Sequence, residues 1–234
     1  MLKTNVMQAL SPVLIKMGEY VDQWKASNDG RHIFLSCYHL MSTNMMVSLQ
    51  NKEFNDHIWV DQLLHRFADY YFESLSCYDC GDATPEVWNY AHKATSHSHL
   101  SEIQLLILGV NAHINYDLVL ALYDLLKPEW NSLSEDQKLQ RYNDHYHVNK
   151  VIANTIDKVQ DDVLAPLSPE LRWIDRLLGR LDEYLISKLI LSWREEVWEN
   201  TQHLLSLEPL EEQEKFRQEL ERAVLKKADL IAMF

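Results

Sequence analysis

Four polar residues interrupt the most apolar stretch of the chain. Ser101 to Leu126 reads SEIQLLILGVNAHINYDLVLALYDLL, with Asn111, His113, Asn115 and Asp117 at alternate positions. Gly and Pro are nearly absent, and the length exceeds a strand, so a helix of about seven turns is predicted. A helix apolar on all sides is central and buried. Its polar side chains must then find partners inside the protein, because unpaired burial is costly. At roughly 100° per residue, His113 and Asp117 share one face, while Asn111 and Asn115 lie beside Gln104 on the opposite one. An imidazole and a carboxylate one turn apart can ligate a metal ion. Without metal, the carboxylate can orient the imidazole as a general base.

A third group would come from a facing helix. In RYNDHYHVNKVIANTIDKVQDDV, Asp144 predicts an N-cap. Asn149, Ile152, Ile156, Val159 and Val163 then lie within about 40° of His145, and the stripe faces inward. His147, Lys150, Asn154, Lys158 and Asp161 take the other side. His113, Asp117 and His145 are therefore the candidate catalytic residues, and equally the candidate ligands of a divalent zinc, iron or manganese ion. Asn111, Asn115 and Asn149 would position substrate, and Arg66 or Tyr38 would neutralise or hydrogen-bond it. Arg66, on the inward arc of its own helix, would also hold Asp117 ionised. The Glu-x-x-His pairs of di-iron carboxylate bundles are missing. The same residues equally suit a buried polar network that fixes helix register.

Cys77-x-x-Cys80 with His97-x-His99 offers four zinc-type ligands, but the spacing is unlike that of zinc fingers, and two polar loops are the simpler reading. The chain has 7 Trp and 11 Tyr, enough to line an apolar pocket or to make ordinary core. No G-x-S-x-G, P-loop or dinucleotide fingerprint is present.

Helices must position these groups. With 5 Gly, 6 Pro and 47% hydrophobic residues, an all-β fold lacks its turn residues. Pro12 opens a first helix that stops before Asn28-Asp29-Gly30. A second runs from about Arg31 to Leu49 with Phe34, Tyr38, Met41, Met45 and Leu49 inward, and a third from Asp56 to Ser76. CYDCGDAT, from Cys77, reads as a loop, and Pro85 opens a short helix with Trp88. Ser132 to Glu135 matches a capping box. A helical pattern from Ser168 continues to Leu205, and Pro209 ends it. Residues 211–234 form a thinly apolar peripheral helix or a homodimer contact. The expectation is one all-α domain over residues 1–234, a bundle of about eight helices around a central buried one.

A net charge of −13 argues against nucleic acid and anionic membrane surfaces as partners. NAHINYD breaks the longest apolar run below the length of a membrane span, and the N-terminus lacks a signal peptide's apolar core. Three cysteines suggest reduced thiols and a cytoplasmic home.

GVNAHINYDL, from Gly109, and DHYHVN, from Asp144, resemble a bacterial family without an assigned activity, domain-of-unknown-function family 5995. Phe34 to Tyr38 (F-x-x-x-Y), FADYYF from Phe67, and Trp88 belong to the same resemblance, spread over the first two thirds of the chain. It implies a shared helical fold and carries no chemistry.

Two functions follow from the residues. One is a cytoplasmic enzyme with a buried His/Asp site, metal-dependent or not, acting on a small molecule. The other is a non-catalytic helical module that binds an apolar small molecule or a partner protein, its polar core structural.

Overall fold

Glu102–Leu126 is one continuous helix, and most of the other described helices pack on it. The computed structural model describes residues 12–96, 99–159 and 180–233. Among the described residues there are eight helices, α1 (Pro12–Ala26), α2 (His32–Gln50), α3 (His57–Cys80), α4 (Glu86–Ala94), the central α5 (Glu102–Leu126), α6 (Glu135–Val159), α7 (Arg180–Ser206) and α8 (Leu210–Met233). No strand is present among the described residues. The architecture is an all-α bundle, as composition and periodicity predict.

Ser101 starts α5 with a capping box, its hydroxyl accepting from the Gln104 N–H while the Gln104 side chain accepts from the Ser101 N–H. Two α segments, Glu102–Ala112 and Leu118–Leu126, flank a π turn at His113–Asp117. The first segment packs on α2, α4 and α8, the second on α3 and α7, and the π turn on α3, α7 and α8. By length and apolar composition α5 could cross a membrane, so NAHINYD interrupts it less than the sequence suggests. But 72% of its most apolar window is buried in the bundle, which marks it as a core helix.

Three local expectations are corrected. Cys77–Cys80 is the last turn of α3, which ends where Gly81 turns left-handed at φ 74°. The capping box of α6 uses Ser134 and Gln137, while the Ser132 hydroxyl donates to the Glu129 carbonyl in the preceding turn. Asp144 caps no helix of its own, because it sits inside α6. Its buried carboxylate instead accepts the backbone N–H groups of Asn55 and Asp56, at 2.7 and 2.8 Å, where the chain enters α3. The expected helix start at Ser168, and Val163 of the α6 stripe, lie outside the described residues.

The stripe of α8 is used within the chain. Leu220, Val224 and Ala228 are buried, and the helix packs on α4 and α5.

Candidate functional site

The π turn places His113 and Asp117 on the side of α5 that meets α3 and α4. π turns occur often at functional sites, because the wider turn re-aims side chains. Asp117 is fully buried, accepts the Trp88 indole N–H at 2.9 and 3.1 Å, and lies 2.9 Å from His113 Nδ1. The His113 ring lies flat on Phe67, with centroids 3.6 Å apart and planes 7° from parallel, and Tyr38 meets it edge-on at 4.3 Å. Gly109 makes room for Phe34: a Cβ there would lie 2.5 Å from the ring. The glycine accommodates a neighbouring helix, α2, rather than a ligand.

Burial drives the two titrations in opposite directions. It holds the Asp117 acid well above the usual carboxylate range, with the Trp88 bond acting against it, and holds His113 well below the usual imidazole value. A pair without net charge is thus favoured. It has two forms, carboxylic acid with neutral imidazole and carboxylate with imidazolium. Where Asp117 donates to Nδ1, or the imidazole is charged, Nε2 carries a proton; where Nδ1 donates from a neutral ring, Nε2 is an acceptor. In each case Nε2 is buried and has no hydrogen-bond partner among the described residues.

His113 lines a cavity of about 120 Å³ between α2, α3, α5, α6 and α7. Phe34, Met41, Met45, Phe67 and Ile152 make its apolar walls, and Tyr38, Ser42 and Arg194 reach it as well.

His145 does not join His113 and Asp117. It is buried, as its stripe predicts, but its Nε2 is 3.0 Å from the Arg194 carbonyl, and Arg194 Nη2 stands 3.2 Å from its Nδ1. Arg194 Nη2 also donates to the His145 carbonyl at 2.6 Å, and its Nε to Asn149 Oδ1 at 2.7 Å. The inward face of α6 at this level meets α7, not α5. Burial, and then the Arg194 charge, keep His145 neutral by holding its pKa well below the usual value. Among the described residues no three His, Cys, Asp or Glu side chains are placed to hold one metal ion. That applies equally to the set with Cys77 and Cys80, which are free thiols; His97 lies outside the described residues.

The remaining candidates disperse. Asn115 Nδ2 donates to Asn111 Oδ1, Asn111 Nδ2 to the Val224 carbonyl, and Lys227 to Asn115 Oδ1, so this amide ladder faces α8 and not the cavity. Arg66 pairs with Asp124 at 2.8 Å and Glu73 at 3.1 Å rather than with Asp117, and Tyr70 shares Asp124. His147 turns from the core towards Glu53 and Phe54. Of the predicted substrate-binding residues only Tyr38 lines the cavity.

Sequence reasoning missed Arg194. A signal was there: Ile190, Arg194, Val197, Thr201 and Leu204 follow helical spacing, and all are buried, so an arginine stands in an inward stripe.

The family model described as "Family of unknown function (DUF5995)" matches residues 10–233. No curated protein and no solved structure matches the chain.

Proposed function

The chain belongs to the DUF5995 family, whose function is unknown, and from this premise we propose a non-catalytic helical module that binds an apolar small molecule in the α2–α3–α5–α6–α7 cavity. One observation carries the reading: an apolar cavity lined by His113, whose buried Nε2 has no partner among the described residues. Leaving a buried polar atom unpaired costs about 1–3 kcal/mol, which a ligand donor or acceptor would recover. Apolar pockets with few convergent polar groups are the usual form of small-molecule sites. The rest of the polar core then has a structural task. The Asn111–Asn115 ladder ties α5 to α8, and the His145–Asn149–Arg194 set ties α6 to α7.

A divalent ion would find two donors here, His113 and Asp117, and no third among the described residues. Asp117 is moreover already taken by Trp88. The donor set does not fit a metal.

Titration with phenol and with toluene, followed by calorimetry, tests the reading. Both should bind saturably, phenol more tightly because its hydroxyl can hydrogen-bond with Nε2 in either tautomer. Val110→Phe, which fills the cavity from α5, should abolish both while leaving helicity intact. Absence of binding by either probe to wild type would overturn the proposal.

A further inference from the structure

We propose that the natural ligand of this cavity is a small apolar monocarboxylate whose carboxylate pairs with Arg194. The inference rests on the binding reading above and adds the charge of the ligand. Arg194 is 4% exposed and lines the cavity. Its Nε and Nη2 donate only to uncharged acceptors, the Asn149 amide oxygen, the His145 carbonyl and the His145 ring. No carboxylate pairs with it among the described residues. The adjacent Glu195 accepts from the Tyr142 hydroxyl at 3.0 Å.

The other arginines near the core differ. Arg31 has Asp29 and Asp79, Arg66 has Asp124 and Glu73, and Arg141 has Asp56 and Glu129, although each of these is more exposed than Arg194. Among the described residues the most deeply buried of the four thus has no paired carboxylate and only the nearby Glu195 charge, against the rule that buried charges are paired. Burial lowers its pKa only to about 10, so the guanidinium remains a cation near neutral pH. An anion entering the cavity would supply the counter-charge, and Nη1 is the guanidinium nitrogen that Asn149 and His145 leave for it.

Size limits the rest of the molecule. A cavity of about 120 Å³ is comparable to one of about 150 Å³ that holds benzene, so a body of about six carbons is expected. Met41 and Met45 allow the wall to adapt to an aliphatic or an aromatic body.

Calorimetric titration of the full chain with hexanoate and 1-hexanol tests this. Wild type should bind hexanoate at least about tenfold more tightly, a difference of about 1.4 kcal/mol. Arg194→Met should lose the preference but keep 1-hexanol, and Arg194→Lys should keep part of it. Equal affinities in wild type would overturn the anion inference and leave the cavity proposal standing. If phenol and toluene bind but neither hexyl probe does, the anion inference alone falls; if no probe binds, both fall. Should Arg194→Met fail to fold, the wild-type ratio and the lysine variant decide.

Discussion

Trp88 Nε1 stands 2.9 and 3.1 Å from the two oxygens of Asp117, so one indole N–H spans a fully buried carboxyl group. This contact joins α4 to the middle of α5, and it defines the partner of Asp117 that periodicity could not name. Trp88→Phe keeps most of the ring and removes the donor. Stability should fall by about 2–4 kcal/mol, from the lost hydrogen bond and the smaller ring. In a double-mutant cycle with Asp117→Asn the two changes should couple by at least about 1 kcal/mol. Strict additivity in urea unfolding would show that the contact contributes no stability.

Arg66 should behave as a surface-proximal pair. Its side chain and that of Asp124 are each 31% exposed, so Arg66→Met should cost about 1 kcal/mol or less and lose more of that effect as salt rises. Arg66→Met and Asp117→Asn should be additive. Measured coupling above about 1 kcal/mol would restore Asp117 as the partner of Arg66.

Gly109 is a packing constraint. Gly→Ala within a helix ordinarily gains up to about 1 kcal/mol. Here the new methyl would meet the Phe34 ring at 2.5 Å, and overpacking should reverse the sign, to a net loss of about 1–3 kcal/mol. Phe34→Leu in the Gly109→Ala background should recover part of it. A stabilised Gly109→Ala would mean that α2 yields at no cost.

Asp144→Ala should leave the backbone N–H groups of Asn55 and Asp56 without their acceptor, for a loss of about 2–3 kcal/mol. Hydrogen exchange offers the sharper check, since protection should fall at the start of α3 rather than within α6. Loss confined to α6 would contradict the capping role.

Acid should destabilise the fold through buried histidines. Burial, and then the Arg31 charge, take His92 to about 3 from an ordinary value of 6.5. Between those values the unfolded chain binds a proton that the folded one refuses, so stability falls as pH drops below about 6.5, by up to about 1.4 kcal/mol per unit. His145 contributes with the same sign, whereas the lowered His113 and the raised Asp117 oppose each other. His92→Phe retains a ring against Trp88 and removes the proton. Urea unfolding between about pH 7 and pH 5 should show a shallower loss for the variant. Parallel curves would count against the assignment.

The sequence by itself determined the helical architecture and which residues turn inward. Scarce Gly and Pro, a sustained 3.6-residue pattern and a largely apolar Ile103–Leu126 run are local properties, and they led to α5 at the centre with His113, Asp117, His145 and Asn149 buried. The two faces of α5 were equally legible, because the angle between Asn111 and His113 belongs to one helix. Tertiary structure alone decided what each inward group meets. Asp117 meets Trp88 from α4, Asp144 the start of α3, and His145 the arginine 49 positions further on. Arg66 finds Asp124, two turns beyond the aspartate expected of it. Periodicity fixes the rotation of a helix about its own axis, whereas a contact also needs the relative rotation and axial offset of two helices. Those are set by how the helices pack together, and no single stretch of sequence contains them.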